Sequence, residues 1–420
     1  MTTSLAEYRT SATHQKLSLR AALATYVVVS AVSPYLYGPK IAGVMVIGLL
    51  FGLLSKPMVD NAGILWTLAL TCLGLASTLH GVLNDNPGAI PQITVFVFEP
   101  LLLGIFMSLL VCDPRWQQHL KLTLDLALIA VAIVGCAVYV AAIAGFSLPK
   151  FLVNPKWAYA DNSAATLRTN FQGYNAFVFL GAYGLWRARD ITLGAYHKTA
   201  LLLSALSGIV LSGRRILYLV VPLSLILLVA VTRRVGARQR LTQGTVVAAA
   251  GALLGMAVVT TYIEIGPIET IRRMLGQFTI RGEHGDARRA QSTILLDEWA
   301  QSPLVGHGSG HVIPDYSRNQ DSPWAFELSY HSLLMSMGLI GTAVMLGWGL
   351  WILKRLLTKE RLQDPFTSAV LAGYLSTCLA TSVDPYVQKM DGMWMLFIPF
   401  AAALAQATHR PTTEEGLSLV

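Results

Sequence analysis

The sequence predicts an all-α polytopic membrane protein with about twelve transmembrane helices and one large helical loop between the ninth and tenth. Three observations predict it. Of 420 residues, 54% are hydrophobic and only 13% are charged, whereas soluble domains carry about 25% charged residues. Apolar runs near the length that spans a hydrocarbon core recur from Ala21 towards the C-terminus. Between two of these runs lies a long polar segment, residues 264–330, far longer than a helix connection requires.

The spans fall at 21–38, 41–54, 62–79, 93–111, 122–146, 172–187, 199–212, 215–231, 244–263, 331–353, 366–382 and 392–408. The run at 21–38 has no small-residue cleavage site behind it, so it reads as an anchor and not as a removed signal. The spans 41–54 and 199–212 are short, and the tight link "SGRR" joins 199–212 to 215–231. No internal repeat of fixed period is present. The chain therefore divides into nine helices over 1–263, a lid loop over 264–330, and three helices with a tail over 331–420.

Cysteine usage adds no framework. Cys72, Cys136 and Cys378 lie inside apolar runs and Cys112 at the end of one, with no Cys/His spacing that supports a disulfide set or a zinc site. The formal charge of +8 suits cytoplasmic anchoring of membrane helices better than nucleic-acid binding. With the N-terminus inside, the inward segments carry 18 Lys and Arg and the short outward ones 7. That bias places both termini in the cytoplasm and the 264–330 loop outside, facing the periplasm. Within the loop, "PIETIRRMLGQF" has apolar residues at helical spacing. "DARRAQSTILLDEWA" starts with Asp286 as an N-cap and repeats Ile294, Leu295 and Trp299 on one face.

Arginine is costly near hydrocarbon, and at outward helix ends it marks function. Arg214 and Arg215 occupy the tight link, Arg281, Arg288 and Arg289 lie in the lid, and Arg168 precedes the sixth span. A guanidinium keeps its charge and grips phosphate with two parallel N–H bonds, so this group suits a lipid-linked phosphate or diphosphate. The structural alternative is snorkelling to headgroups with ion pairs to Glu283 and Asp286.

Proton-transfer candidates cluster at the end of the lid. In "FELSYHSLLMSMGLIG", Glu327 and His331 stand one helical turn apart on one face. Either could accept a proton from a sugar hydroxyl. Trp324, Phe326 and Tyr330 flank Glu327 in sequence and are expected to bury it, which would raise its basicity. Tyr330 and Arg168 are also candidate donor or acceptor contacts. So is Glu99, an acid beside Pro100 within the apolar run "ITVFVFEPLLLG". "GHGSGH", residues 306–311, could wrap a phosphate with backbone N–H groups, although a glycine turn is more often structural. Asp384 reads as a turn-forming Asp-Pro.

Three stretches resemble the bacterial O-antigen ligase and Wzy-type polysaccharide polymerase superfamily. "LSGRRILYLV" is similar to the family's arginine turn opening a helix, with Arg215 at the arginine position. "ARRAQSTILLDEWAQSPLVGHGSG" resembles its arginine-led lid helix with a Pro-Leu-x-Gly-x-Gly turn. "FELSYHSLLMSMGLIG" resembles the segment closing the lid. The resemblance implies a metal- and cofactor-independent glycosyltransferase of the inner membrane, working on its periplasmic face. Its donor would be an undecaprenyl-diphosphate-linked glycan, with Arg215 and Arg288 or Arg289 holding the diphosphate. Its acceptor would be a glycan or lipid A core, and a flippase and a chain-length regulator would be its protein partners. Ligases carry a His-Asn or His-Ser pair eleven residues before a Gly-x-x-Gly. Aligned on Gly338 and Gly341, that histidine position falls on Glu327, and His331-Ser332 follows one turn later. An acid there resembles the polymerase side, with Glu327 as base and His331 positioning a substrate. The ligase is the nearest alternative. A flippase of lipid-linked sugars, which usually shows repeats and interrupted helices, is the more distant one.

The orientation can be tested directly. A Ser292→Cys protein should react with a membrane-impermeant thiol reagent in intact spheroplasts, and a Thr242→Cys protein should not. The reverse pattern would overturn the orientation.

Overall fold

The structure is a computed structural model, and it describes residues 24–32, 46, 61–113, 115–144, 146, 171–212, 214–234, 283–314, 316–317, 320–386, 388 and 392–405. The described residues form helices and connections, with no strand among them. Residues 24–32 are helical. The remaining helices are α1 (Asn61–Leu83), α2 (Ala89–Leu110), α3 (Trp116–Ile143), α4 (Phe177–Arg187), α5 (Ala195–Leu211) and α6 (Arg215–Arg234). They continue with α7 (Glu283–Gln301), α8 (Ser329–Leu356), α9 (Lys359–Gln363), α10 (Pro365–Thr381) and α11 (Trp394–Leu404). Helices thus occupy the described parts of the predicted spans from 62–79 to 215–231 and from 331–353 to 392–408. The predicted spans 41–54 and 244–263 and the segment "PIETIRRMLGQF" lie outside the described residues, apart from Val46.

Among the described residues, five helices are long and apolar enough to cross a membrane: Asn61–Leu83, Ala89–Leu110, Trp116–Ala141, Ile216–Arg233 and Ser329–Leu356. Their outward faces are greasy. Leu65, Leu68, Leu75 and Leu79 are exposed along α1, as are Leu122, Leu126, Ile133 and Val140 along α3. Such helical stripes of exposed aliphatic side chains suit lipid, not water, as the solvent. The chain is a membrane protein.

The interior is built around α4, in which every residue is buried. A helix apolar on all sides can only be a central one, and α4 packs against α5, α6 and α10. Its polar groups find partners at one end of the bundle. Tyr183 donates to Asp125 at 2.8 Å and Trp186 Nε1 to Ser368 Oγ at 2.9 Å. Arg187 pairs with Asp190 and lies 3.8 Å from Asp125, and His197 lies 3.1 Å from the same carboxylate. Buried charges held this way avoid most of the desolvation cost of an unpaired ion.

In α2, residues Thr94–Phe98 form a π-turn directly before Glu99 and Pro100. A proline ring clashes with the carbonyl four residues earlier, here that of Phe96, and a widened turn relieves the clash. The displaced Phe96 carbonyl rests on Gly74 of α1, where a Cβ would have no room.

A second irregularity organises the opposite end of the bundle. α8 is broken at Gly338, whose φ of 62° and ψ of −167° lie outside the helical region. The break strands backbone groups on both sides, and residues 303–308 supply partners for them. His307 N–H donates to Met335 O and Gly308 N–H to Ser336 O, both at 2.9 Å. In return, Leu339 N–H donates to Pro303 O at 2.9 Å and Ile340 N–H to Leu304 O at 3.1 Å. Irregular backbone is tolerated at membrane depth only where protein satisfies it in this way.

Gly338 is therefore irreplaceable in two respects: its φ is positive, and a Cβ would strike the Leu304 carbonyl. Gly338→Ala should lower stability by about 1–3 kcal/mol in thermal unfolding of the detergent-solubilised protein. Gly347→Ala, in the same helix with only Trp66 nearby at 3.8 Å, should be neutral or stabilising by up to ~1 kcal/mol. Equal unfolding temperatures for the two variants would refute the account.

Candidate functional site

The lid helix α7 begins at Glu283 and so contains Asp286, which is a fourth helical residue and not the expected cap. A capping side chain must sit outside the first turn to reach its N–H groups. The predicted apolar face does form. Leu295, with Ile294 and Trp299, packs on Ile313, Phe326, Leu328 and Met335, seating α7 on the loop and on the start of α8.

Three polar contacts fix the register between α7 and α8. Gln291, fully buried, accepts from the backbone N–H groups of Glu327 and Leu328, each at 3.2 Å. Arg288 Nε lies 3.4 Å from Glu327 Oε2, and Ser292 Oγ lies 3.1 Å from His331 Nε2. Arg288 and Ser292 are one turn apart on α7 and meet Glu327 and His331 in the same order. Glu327 is not helical, because α8 starts at Ser329, so the expected shared helical face is replaced by a shared partner helix. The Nδ1 of His331 is buried and has no hydrogen-bond partner among the described residues.

The expected aromatic burial of Glu327 does not form. Phe326 turns into the apolar cluster with Leu295, Trp324 lies against Gly88, and the Tyr330 hydroxyl donates to Cys378 O at 2.7 Å. The side chain of Glu327 stays 33% exposed. Hydrophobic contact and hydrogen bonding elsewhere take all three rings.

A second basic group adjoins the start of α8. Arg214, just before α6, lies 3.5 Å from Asp384 Oδ2 and donates to the Tyr386 hydroxyl at 3.3 Å. Asp384 is thus an arginine partner and not only a turn former. Burial pushes the Tyr386 phenol above its ordinary range while Arg214 pulls it back, so it remains a neutral hydroxyl. Ser329 Oγ donates to Asp384 O at 3.5 Å, and Gln388 Nε2 donates to Ser329 O at 3.0 Å. The Arg214 turn, the 384–388 segment and the Arg288–Glu327 pair therefore meet at one end of α8.

Other predicted residues stand differently. Arg215 is the first residue of α6, and Arg289 is exposed on α7. Arg168 and Arg281 lie outside the described residues. Glu99 is 5% exposed within the bundle at the start of the regular part of α2. In the "GHGSGH" turn the N–H groups of residues 306–309 all donate to protein carbonyls, so these four are not free to wrap a phosphate. That turn, however, carries what sequence spacing missed. Glu298, His307 and His311 each bring a ligand atom within 4.8 Å of the others. Helix α7 and the turn meet only in three dimensions, so no linear metal spacing announces them. Burial, then the neighbouring His307, holds the His311 imidazole below its ordinary pKa, with Glu298 opposing.

Gln291 offers a test of the lid contact. Gln291→Leu leaves two N–H groups without their acceptor, at a cost of about 1–3 kcal/mol. Amide exchange at Glu327 and Leu328 should accelerate, while exchange within α4 should not. For thiol labelling of the lid, exposed Ala290 is the better position, since Ser292 is bonded to His331.

No known protein-family model matches the chain, and a search of curated proteins finds no match either.

Proposed function

We propose that the chain is an inner-membrane glycosyltransferase that polymerises undecaprenyl-diphosphate-linked oligosaccharide repeats for O-antigen or exopolysaccharide. In this reading both termini are cytoplasmic and the lid end faces the periplasm. The observation that carries it is the pairing of Arg288 with Glu327 and of Ser292 with His331 between α7 and the start of α8. A guanidinium, a carboxylate and an imidazole at the polar end of a membrane bundle are the groups that glycosyl transfer from a lipid diphosphate needs.

The donor diphosphate binds Arg288, with Arg215, Arg289, Arg281 and Arg214, the last paired with Asp384, adding charge. A dianionic ligand competes with Glu327 for Arg288, so donor binding releases the carboxylate. The acceptor hydroxyl then attacks the anomeric carbon of the donor's first sugar. As the new C–O bond forms, the anomeric carbon–phosphate oxygen bond breaks and its electron pair goes to the diphosphate. Glu327 takes the hydroxyl proton, and His331 orients the acceptor. Arg168, Tyr330 and Glu99 remain secondary contacts of the proposal.

The ligase is the second reading, favoured by one observation: the buried Nδ1 of His331 has no hydrogen-bond partner among the described residues. A flippase gains little from the interrupted α8, because residues 303–308 already occupy its freed backbone groups.

Chain extension in vitro, using purified lipid-linked repeat, separates these roles. Arg288→Lys keeps the charge but loses the planar fork, and turnover should fall roughly ten- to a hundredfold, equivalent to about 1.5–3 kcal/mol. Glu327→Gln should be inactive. If Glu327→Gln turns over normally while His331→Gln is dead, the base is His331 and the ligase reading replaces the polymerase. A deletion strain should display single repeats on lipid A core. Polymer stranded on the carrier lipid would instead identify a ligase, and complete loss of export a flippase.

A further inference from the structure

The geometry points to a binding site for one divalent cation of the zinc type at Glu298, His307 and His311, joining the C-terminal end of α7 to the glycine turn. The site stands on the fold alone, and the transfer chemistry proposed above has no step through the cation.

The donor set is the first argument. Two imidazoles and one carboxylate suit zinc and its neighbours among the transition metals, whereas magnesium and calcium take mainly oxygen ligands. Three protein ligands leave a fourth position for water or a further group.

The spacing is the second. Zinc bonds of about 2.0–2.1 Å place adjacent tetrahedral ligands roughly 3.3 Å apart. His311 Nε2 already lies 3.4 Å from Glu298 Oε2, and Glu298, His307 and His311 each bring one ligand atom within 4.8 Å of the others. The two rings are stacked with centroids 4.5 Å apart and planes 19° apart, so both present an edge to the same side chain. His307 Nε2 is also 2.7 Å from the Glu298 carbonyl oxygen. Donation to that carbonyl fixes the tautomer and leaves Nδ1 with its lone pair, the usual state of a metal-bound imidazole.

The site is also held ready. His311 Nε2 has no exposed surface, and it faces the Glu298 carboxylate at 3.4 Å. The turn that carries both histidines is clamped on three sides. Its backbone bonds to α8 at Met335 and Ser336 and to α1 at Ser77, and Asn86 Nδ2 donates to His307 O at 2.9 Å and Ser309 O at 3.2 Å. Only Glu298 belongs to a different element, the lid helix. A cation there ties the lid to a fixed platform at the end remote from Arg288, so α7 is held at both ends.

The test uses the full chain, purified in detergent without a histidine tag, stripped with EDTA, loaded with zinc chloride and desalted. The wild type should retain a single equivalent of zinc, and excess magnesium should not displace it. Glu298→Gln and His311→Gln should each retain less than about a tenth as much, while His197→Gln, at the other end of the bundle, should bind normally. Zinc should also slow proteolysis between α7 and α8 in the wild type and not in His311→Gln. Should the variants fail to fold, modification of the wild type by diethyl pyrocarbonate decides: zinc should protect His307 and His311 but not His197. Wild type that retains no zinc, variants that retain as much as wild type, or equal modification with and without zinc would each overturn the site.

Discussion

An unpaired peptide group inside a membrane protein costs several kcal/mol, and the arrangement at Gly338 answers that constraint. Breaking α8 leaves carbonyls at Met335 and Ser336 and N–H groups at Leu339 and Ile340 in need of partners. Residues 303–308 meet all four in a reciprocal pairing. Everything at that end of the molecule follows from this. The paired loop must lie against α8, its glycines must take positive φ to let two backbones touch, and its neighbours in sequence, α7 and the histidine turn, are delivered to the same place.

The two ends of the bundle solve their polar problems differently. At the end bearing Tyr183 and Arg187, side chains form a closed network around Asp125, with each charge matched by an opposite one nearby. At the lid end the matching is looser. Arg288 and Glu327 are 29% and 33% exposed, and Arg214 and Asp384 are 24% and 29% exposed. Exposed pairs contribute little to stability, but a ligand exchanges them readily. Groups that must trade partners with a substrate belong in the second arrangement and not the first.

Much of the helical layout was legible because it rests on length and apolar runs. The spans at 62–79, 93–111 and 331–353 correspond to α1, α2 and α8, and the face of Ile294, Leu295 and Trp299 packs as its periodicity requires. The contact of Glu327 and His331 with the lid was half legible, since their separation placed them together but could not identify Arg288 and Ser292 as their partners. Local spacing misled in two places. The aromatics around Glu327 take better partners elsewhere, and the turn chemistry of Asp384 gives no hint of its pairing with Arg214, which joins distant parts of the chain. The break at Gly338 and the convergence of Glu298, His307 and His311 were not legible. Both depend on two segments meeting, and glycine in a helical pattern announces neither a kink nor what fills it.

The reciprocal pairing at Gly338 also makes the lid and α8 a single mechanical unit. A continuous helix through Gly338 would close its own hydrogen bonds and leave residues 303–308 without partners, so the bent and straight forms belong to docked and undocked loops respectively. The bend and the docked loop thus stand or fall together, since each supplies the hydrogen-bond partners that the other would otherwise lack.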